Sequence, residues 1–174
     1  MNRPRLLAAR VTATVLLTAP SPSADDAAAL LADDLRFAEA LAVSRFYDLA
    51  DDVAGRAKRR IEGLAGDEVE LAGEASLILA RIDIRRSEAT ADADERLAAM
   101  ARAVEALRDW SRPGSDYAYL DRMTDALEAL AKTLNERGKE YAARYAEGDA
   151  SAQALADSDF READEVFKAL EDEA

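Results

Sequence analysis

Hydrophobic positions in this chain recur every three or four residues, which gathers them on one face of a helix. Leu30, Leu31, Leu35, Ala38 and Leu41/Ala42 make one such stripe, and Leu120, Met123, Leu127, Leu130 and Leu134 make another. A more particular spacing comes back three times. It reads Tyr47-x-x-Ala50-x-x-x-Ala54-x-x-Ala57, then Met100-x-x-Ala103-x-x-x-Leu107-x-x-Trp110, then Phe160-x-x-Ala163-x-x-x-Phe167-x-x-Leu170. Each run sets a large residue, a small one and two further apolar ones on a single face. The small residue is where a neighbouring helix can come close.

The breaks between stripes predict six helices in three antiparallel pairs. The first spans about 25–44 and turns at Ser44-Arg45 into a second, about 46–62, which Gly63 and Gly66 stop. Asp67 followed by Glu70 resembles a capping box and opens a third helix reaching about Glu88. Its Leu71, Ala75, Ile78 and Ile82 fall on one face, while Leu77, Leu79 and Ile84 widen the apolar arc. A helix apolar on more than one side sits between neighbours, so this one is expected in the middle. The cap region Thr90-Ala-Asp-Ala-Asp leads to a fourth helix, about 93–110. Ser111-Arg-Pro-Gly-Ser-Asp116 breaks the chain before a long fifth helix, about 116–146, which Gly138 is expected to loosen or bend. Gly148-Asp-Ala-Ser151 connects to a sixth, from about Ser151 or only from Asp159.

Composition agrees. About a quarter of the 174 residues are alanine, far above ordinary usage, and alanine is the best helix former. The fold class expected is all-α, one domain large enough for a real core. The net charge of −13 repels phosphate backbones and anionic membranes, so no nucleic acid is expected as a partner. It weakly favours a basic or neutral one. Cysteine and histidine are both absent, which removes disulfides, thiolate chemistry, histidine triads and histidine-dependent metal helices. No cofactor and no catalytic residue suggests itself. A carboxylate-pair hydrolase would need a deep pocket with two buried acids, and nothing in the sequence points to one.

Residues 1–24 read as a separate segment. Arg3, Arg5 and Arg10 precede a short apolar run, Val11–Ala19, and then Ser21-Pro-Ser-Ala24. Basic, apolar and small in that order is the pattern of a secretory signal peptide. The run is too short to span a bilayer. Export to the periplasm or cell envelope follows as an expectation, and the alanine and arginine bias suggests a bacterial source. The mature region would then be residues 25–174. At its other end Glu171-Asp-Glu-Ala174 opposes the helix macrodipole: either the last turn frays in water, or this is the N-terminal part of a longer array, the reading favoured here.

Phe37-Ala38-x-x-Leu41 followed by the Tyr47 run resembles a tetratricopeptide repeat, and Phe160-Arg-Glu-Ala163-Asp-Glu-Val-Phe167 resembles its second helix more closely. The pattern departs from that family where Met100 replaces an aromatic, where Ser44-Arg45 replaces a glycine turn, and in signatures spaced beyond the usual repeat of about 34 residues. The resemblance implies a right-handed helical solenoid with a concave groove that holds a peptide or another protein, and it implies no catalysis. Two pairs are the candidate partner-binding residues. Arg81 and Arg85 share a helical face and have the fork geometry that suits a carboxylate; Tyr141 and Tyr145, one turn apart, offer an amphipathic strip. The bland alternatives are salt bridges for the arginines and packing on the sixth helix for the tyrosines. The function expected is a non-catalytic interaction scaffold; the alternative is a structural or self-associating spacer without its own ligand.

Overall fold

The computed structural model describes residues 24–64, 69–112, 117 and 122–172 of the chain. Six helices follow one another: α1 (Ala24–Val43), α2 (Tyr47–Ile61), α3 (Val69–Ala89), α4 (Ala93–Ser111), α5 (Met123–Ala146) and α6 (Ala152–Asp172). The described residues contain no strand, and the protein is all-α. None of these helices is long and apolar enough to cross a membrane. Of the segment 1–24, read as a leader, residues 1–23 lie outside the described residues, as do Gly66, Asp67, the Pro113–Asp116 break and residues 173–174.

Helix ends follow local chemistry. Asp92 caps α4, its Oδ1 accepting from the backbone N–H of Asp94 and of Glu95, both at 2.9 Å, which satisfies two otherwise orphaned donors. α1 and α5 close in the same way. After α1, Phe46 N–H bonds Leu41 O at 2.9 Å and Arg45 N–H bonds Ala42 O at 3.0 Å. After α5, Asp149 N–H bonds Arg144 O at 3.0 Å and Gly148 N–H bonds Tyr145 O at 3.0 Å. This closure needs a left-handed residue, normally glycine. Gly148 supplies it with φ 107°, whereas Arg45 is forced there with φ 66°.

Each helix packs on the next, and α1 also packs on α3. The core divides into two clusters that share only α3. Ala75, Ile78 and Ile82 of α3 close over Leu31, Leu35, Ala38, Ala50, Ala54 and Ala57 from α1 and α2. Leu77 and Ala80, from another side of the same helix, join Ala103, Leu107, Trp110, Leu130 and Leu134 from α4 and α5. The double apolar arc of α3 therefore serves two cores, as its sequence required. Burying one such Leu or Ile contributes about 1.5–3 kcal/mol.

The small residue of each recurring run is sealed in: Ala50, Ala103 and Ala163 are all buried. One expectation for α5 is corrected, and one for α6 is settled between its two starts. α5 is continuous through Gly138, and that residue is a seat: a Cβ there would stand 2.8 Å from the Phe160 ring. α6 begins at Ala152, next to the earlier of its two expected starts, Ser151, and well before Asp159. The described part of α5 begins at Met123, after the Arg122 turn.

Candidate functional site

Three helices enclose a groove of about 830 Å³. α3 contributes Arg81, Ile84 and Glu88, spaced by three and four so that they follow one edge of the helix. α5 contributes Asp125, Ala129, Lys132, Glu136 and Glu140 with the same periodicity, and α4 adds Arg96 and Met100. Ile84, Met100 and Ala129 give it an apolar floor. Its rim is charged, with carboxylates at Glu88, Asp125, Glu128, Glu136 and Glu140 against cations at Arg81, Arg96 and Lys132.

Those three cations are already engaged. Arg96 Nε lies 2.9 Å from Glu140 Oε1, and its Nη2 donates to Oε2 at 3.0 Å. Lys132 Nζ meets Glu128 at 2.9 Å. Arg81 reaches Glu39 of α1 at 3.3 Å and Asp125 of α5 at 3.6 Å, so one side chain ties α1, α3 and α5 together at the groove mouth. Glu88, by contrast, is exposed and makes no ion pair among the described residues. The acidic excess leaves the groove negative.

The four residues singled out from sequence are dispersed. Arg81 lines the groove; Arg85 is exposed, does not line it and makes no ion pair among the described residues. Arg81 meets two carboxylates of the protein itself, in the salt-bridged manner that was the bland reading. Tyr141 is half-buried and Tyr145 exposed, both outside the groove on α5. They lie three and seven residues beyond Gly138, on the edge that meets Phe160 of α6. What sequence reasoning missed is the α5 ladder Asp125, Glu128, Lys132, Glu136, Glu140. Its only signal was charge at helical spacing, which solvated faces share.

The acidic runs of the sequence are caps and ion pairs. Asp33 pairs with Arg36, Asp34 with Arg60, Asp51 with Arg86 and Asp94 with Arg144. Folding buries two carboxylates among the described residues, and it separates them. Asp83 of α3 accepts from Arg102 Nη2 at 2.6 Å and Nε at 3.0 Å. Asp159 of α6 accepts from Arg137 Nε and Nη2, both at 2.7 Å. Burial pushes the Asp83 carboxyl above its ordinary range, and the hydrogen bonds and charge of Arg102 offset that only in part. Burial alone would lower Arg137, yet the contact with Asp159 holds it above its ordinary value. Neither acid lines the groove.

A second concavity, about 580 Å³, lies where the start of α2 meets the end of α3 and the start of α4. Arg45, Tyr47, Arg86 and Arg102 line it; Arg86 is held by Asp48 and Asp51 and sits 6.0 Å from the Tyr47 ring centre. No family model matches the chain, and no curated protein or solved structure matches it either.

Proposed function

We propose that this chain is a non-catalytic interaction scaffold of the bacterial cell envelope, a short tetratricopeptide-like stack of three helical pairs that holds a peptide or protein segment in the α3–α4–α5 groove. The single observation that carries the reading is that groove: an apolar floor of Ile84, Met100 and Ala129 under a rim with more carboxylates than cations. Its chemistry suits a segment with an apolar anchor flanked by Lys or Arg. Support for the stack comes from α1 lying on both α2 and α3 and from α3 serving two cores. Support for export is the basic, apolar, small order of the first 24 residues.

The test is selection of binders from a random peptide display library on the full chain. Selected peptides should carry Lys or Arg beside an aromatic or aliphatic residue. Their binding should weaken with salt and fall at least tenfold in the Glu88→Lys/Glu136→Lys double variant. Failure to select any peptide, or binding indifferent to that double reversal, would overturn the groove reading.

A further inference from the structure

The first 24 residues are opposite in charge to the rest of the chain. Every one of the 36 acidic residues lies from Asp25 onward, whereas Arg3, Arg5 and Arg10 stand in a stretch with no acid at all. Leu6-Leu7-Ala8-Ala9 sits between the last two arginines, and Val11 follows them. An aliphatic pair with arginine on both sides is the chemistry that the α3–α4–α5 groove suits. Its floor is Ile84, Met100 and Ala129, and its rim sets five carboxylates against three cations.

The rim can accept those arginines. Glu88 makes no ion pair among the described residues. Asp125 pairs with Arg122 at 3.4 Å and Glu136 with Lys139 at 2.6 Å, and all four of these side chains are more than half exposed. Exposed pairs of this kind are worth under about 1 kcal/mol. A carboxylate also has two oxygens and can serve a second donor, so an arriving guanidinium displaces little.

The segment is long enough to arrive. α1 starts at Ala24, and its Glu39 bonds Arg81 at the groove mouth, about 22 Å further along the helix. Residues 12–23 can cover up to about 40 Å, which brings Arg10 to that mouth. The groove then runs from Arg81 and Asp125 to Arg96 and Glu140 at the far end. Along α5 this is about 22 Å, and Arg3 and Arg10 can stand up to about 24 Å apart.

We infer that residues 3–11 of the same chain occupy the groove for as long as they remain attached, with Arg10 near Asp125, Leu6 and Leu7 over the floor, and Arg3 and Arg5 near Glu136 and Glu140. The inference rests on the groove reading above and deepens it by naming an occupant. An occupant on the same chain is presented at an effective concentration on the order of 1 mM, so a free peptide binds only by displacing it. Removal of the segment, read as a leader, then opens the groove.

The chain has no cysteine, so Ala8→Cys offers a single place for a nitroxide spin label. In the full chain the label should broaden amide resonances within Arg81–Glu88 and Asp125–Glu140. Adding Arg3→Glu, Arg5→Glu and Arg10→Glu should restore those resonances. Without the label, the same triple reversal should raise the affinity of a library-selected peptide about tenfold. Sharp groove resonances in the labelled chain, or an affinity indifferent to the reversal, would overturn the inference. If peptides still bind the groove of the triple variant, such a result leaves the groove reading standing; no peptide binding to either chain sinks both.

Discussion

The two halves of the core solve the same packing problem with different residues. Around α1 and α2 the seam is alanine: Ala38, Ala42, Ala50, Ala54 and Ala57 are all buried there, and no aromatic side chain is. Around α4 and α5 the interior is larger, with Leu107, Leu130, Leu134 and Trp110 inside, and Trp110 lies 5.1 Å from Tyr117 between ring centres. Helices that meet through alanines approach closely and leave little room between them. The bulky residues of the first pair are then displaced to its edge, where Phe37 is 54 % and Phe46 61 % exposed. In the second cluster bulk went inward. The same large–small pattern in sequence thus yields an exposed bulky edge at one place and a thick core at another.

Truncation should separate the two cores most. Trp110→Ala removes the largest fully buried side chain and should cost about 3–5 kcal/mol in urea unfolding. An equal loss from Phe37→Ala would erase the distinction, since an exposed site should lose under about 0.5 kcal/mol.

The buried ion pairs sharpen the contrast next. Arg137 is only 11 % exposed beside Asp159, whereas Arg102 is 49 % exposed beside Asp83. Asp159→Ala strands a buried cation and should cost about 3–5 kcal/mol. Asp83→Ala leaves an arginine that can turn to water, and a loss of about 1–2 kcal/mol is expected. Acidity adds a second readout. Because burial holds the folded Asp83 carboxyl above the ordinary aspartate value of 3.8, the folded state binds that proton more tightly than the unfolded chain. Its contribution is present below pH 3.8 and is lost as pH rises through the folded value. Relative to Asp83→Asn, the natural protein should therefore lose stability as pH rises across that window, as read by urea midpoints.

Overpacking tests the alanine seam from the other direction. Ala54→Leu should destabilise by about 1–3 kcal/mol, since the close approach has no room for the added atoms. The smallest effect is local. Arg45→Gly relieves the left-handed strain that Gly148 avoids at the matching position. A gain of about 0.5–1 kcal/mol in thermal or urea unfolding is expected.

Much of the fold could be read from the sequence because helices are written in local periodicity. The boundaries of α2, α4 and α6 came from caps and glycines acting within a few residues, and the two-sided arc of α3 announced its central place. The site was not legible for the same reason. Arg81 meets Glu39 and Asp125 across sequence separations that no window of periodicity spans, so its side chain could be paired with its neighbour Arg85 on paper while folding sends it to two acids. Gly138 shows the limit at short range. A glycine within a helix reads as a weak point, and only the ring of Phe160 from another helix reveals it as a seat.

The account rests most on the groove, and a chemical-shift titration tests that directly. A peptide taken from the display selection would be added to the isotopically labelled full chain and followed by amide resonances. Perturbations should concentrate at Arg81–Glu88, Arg96–Met100 and Asp125–Glu140, the segments that line the groove. Shifts confined to Leu30, Phe37 and Leu49, or to Phe160 and Phe167, would contradict it and place binding on the end faces.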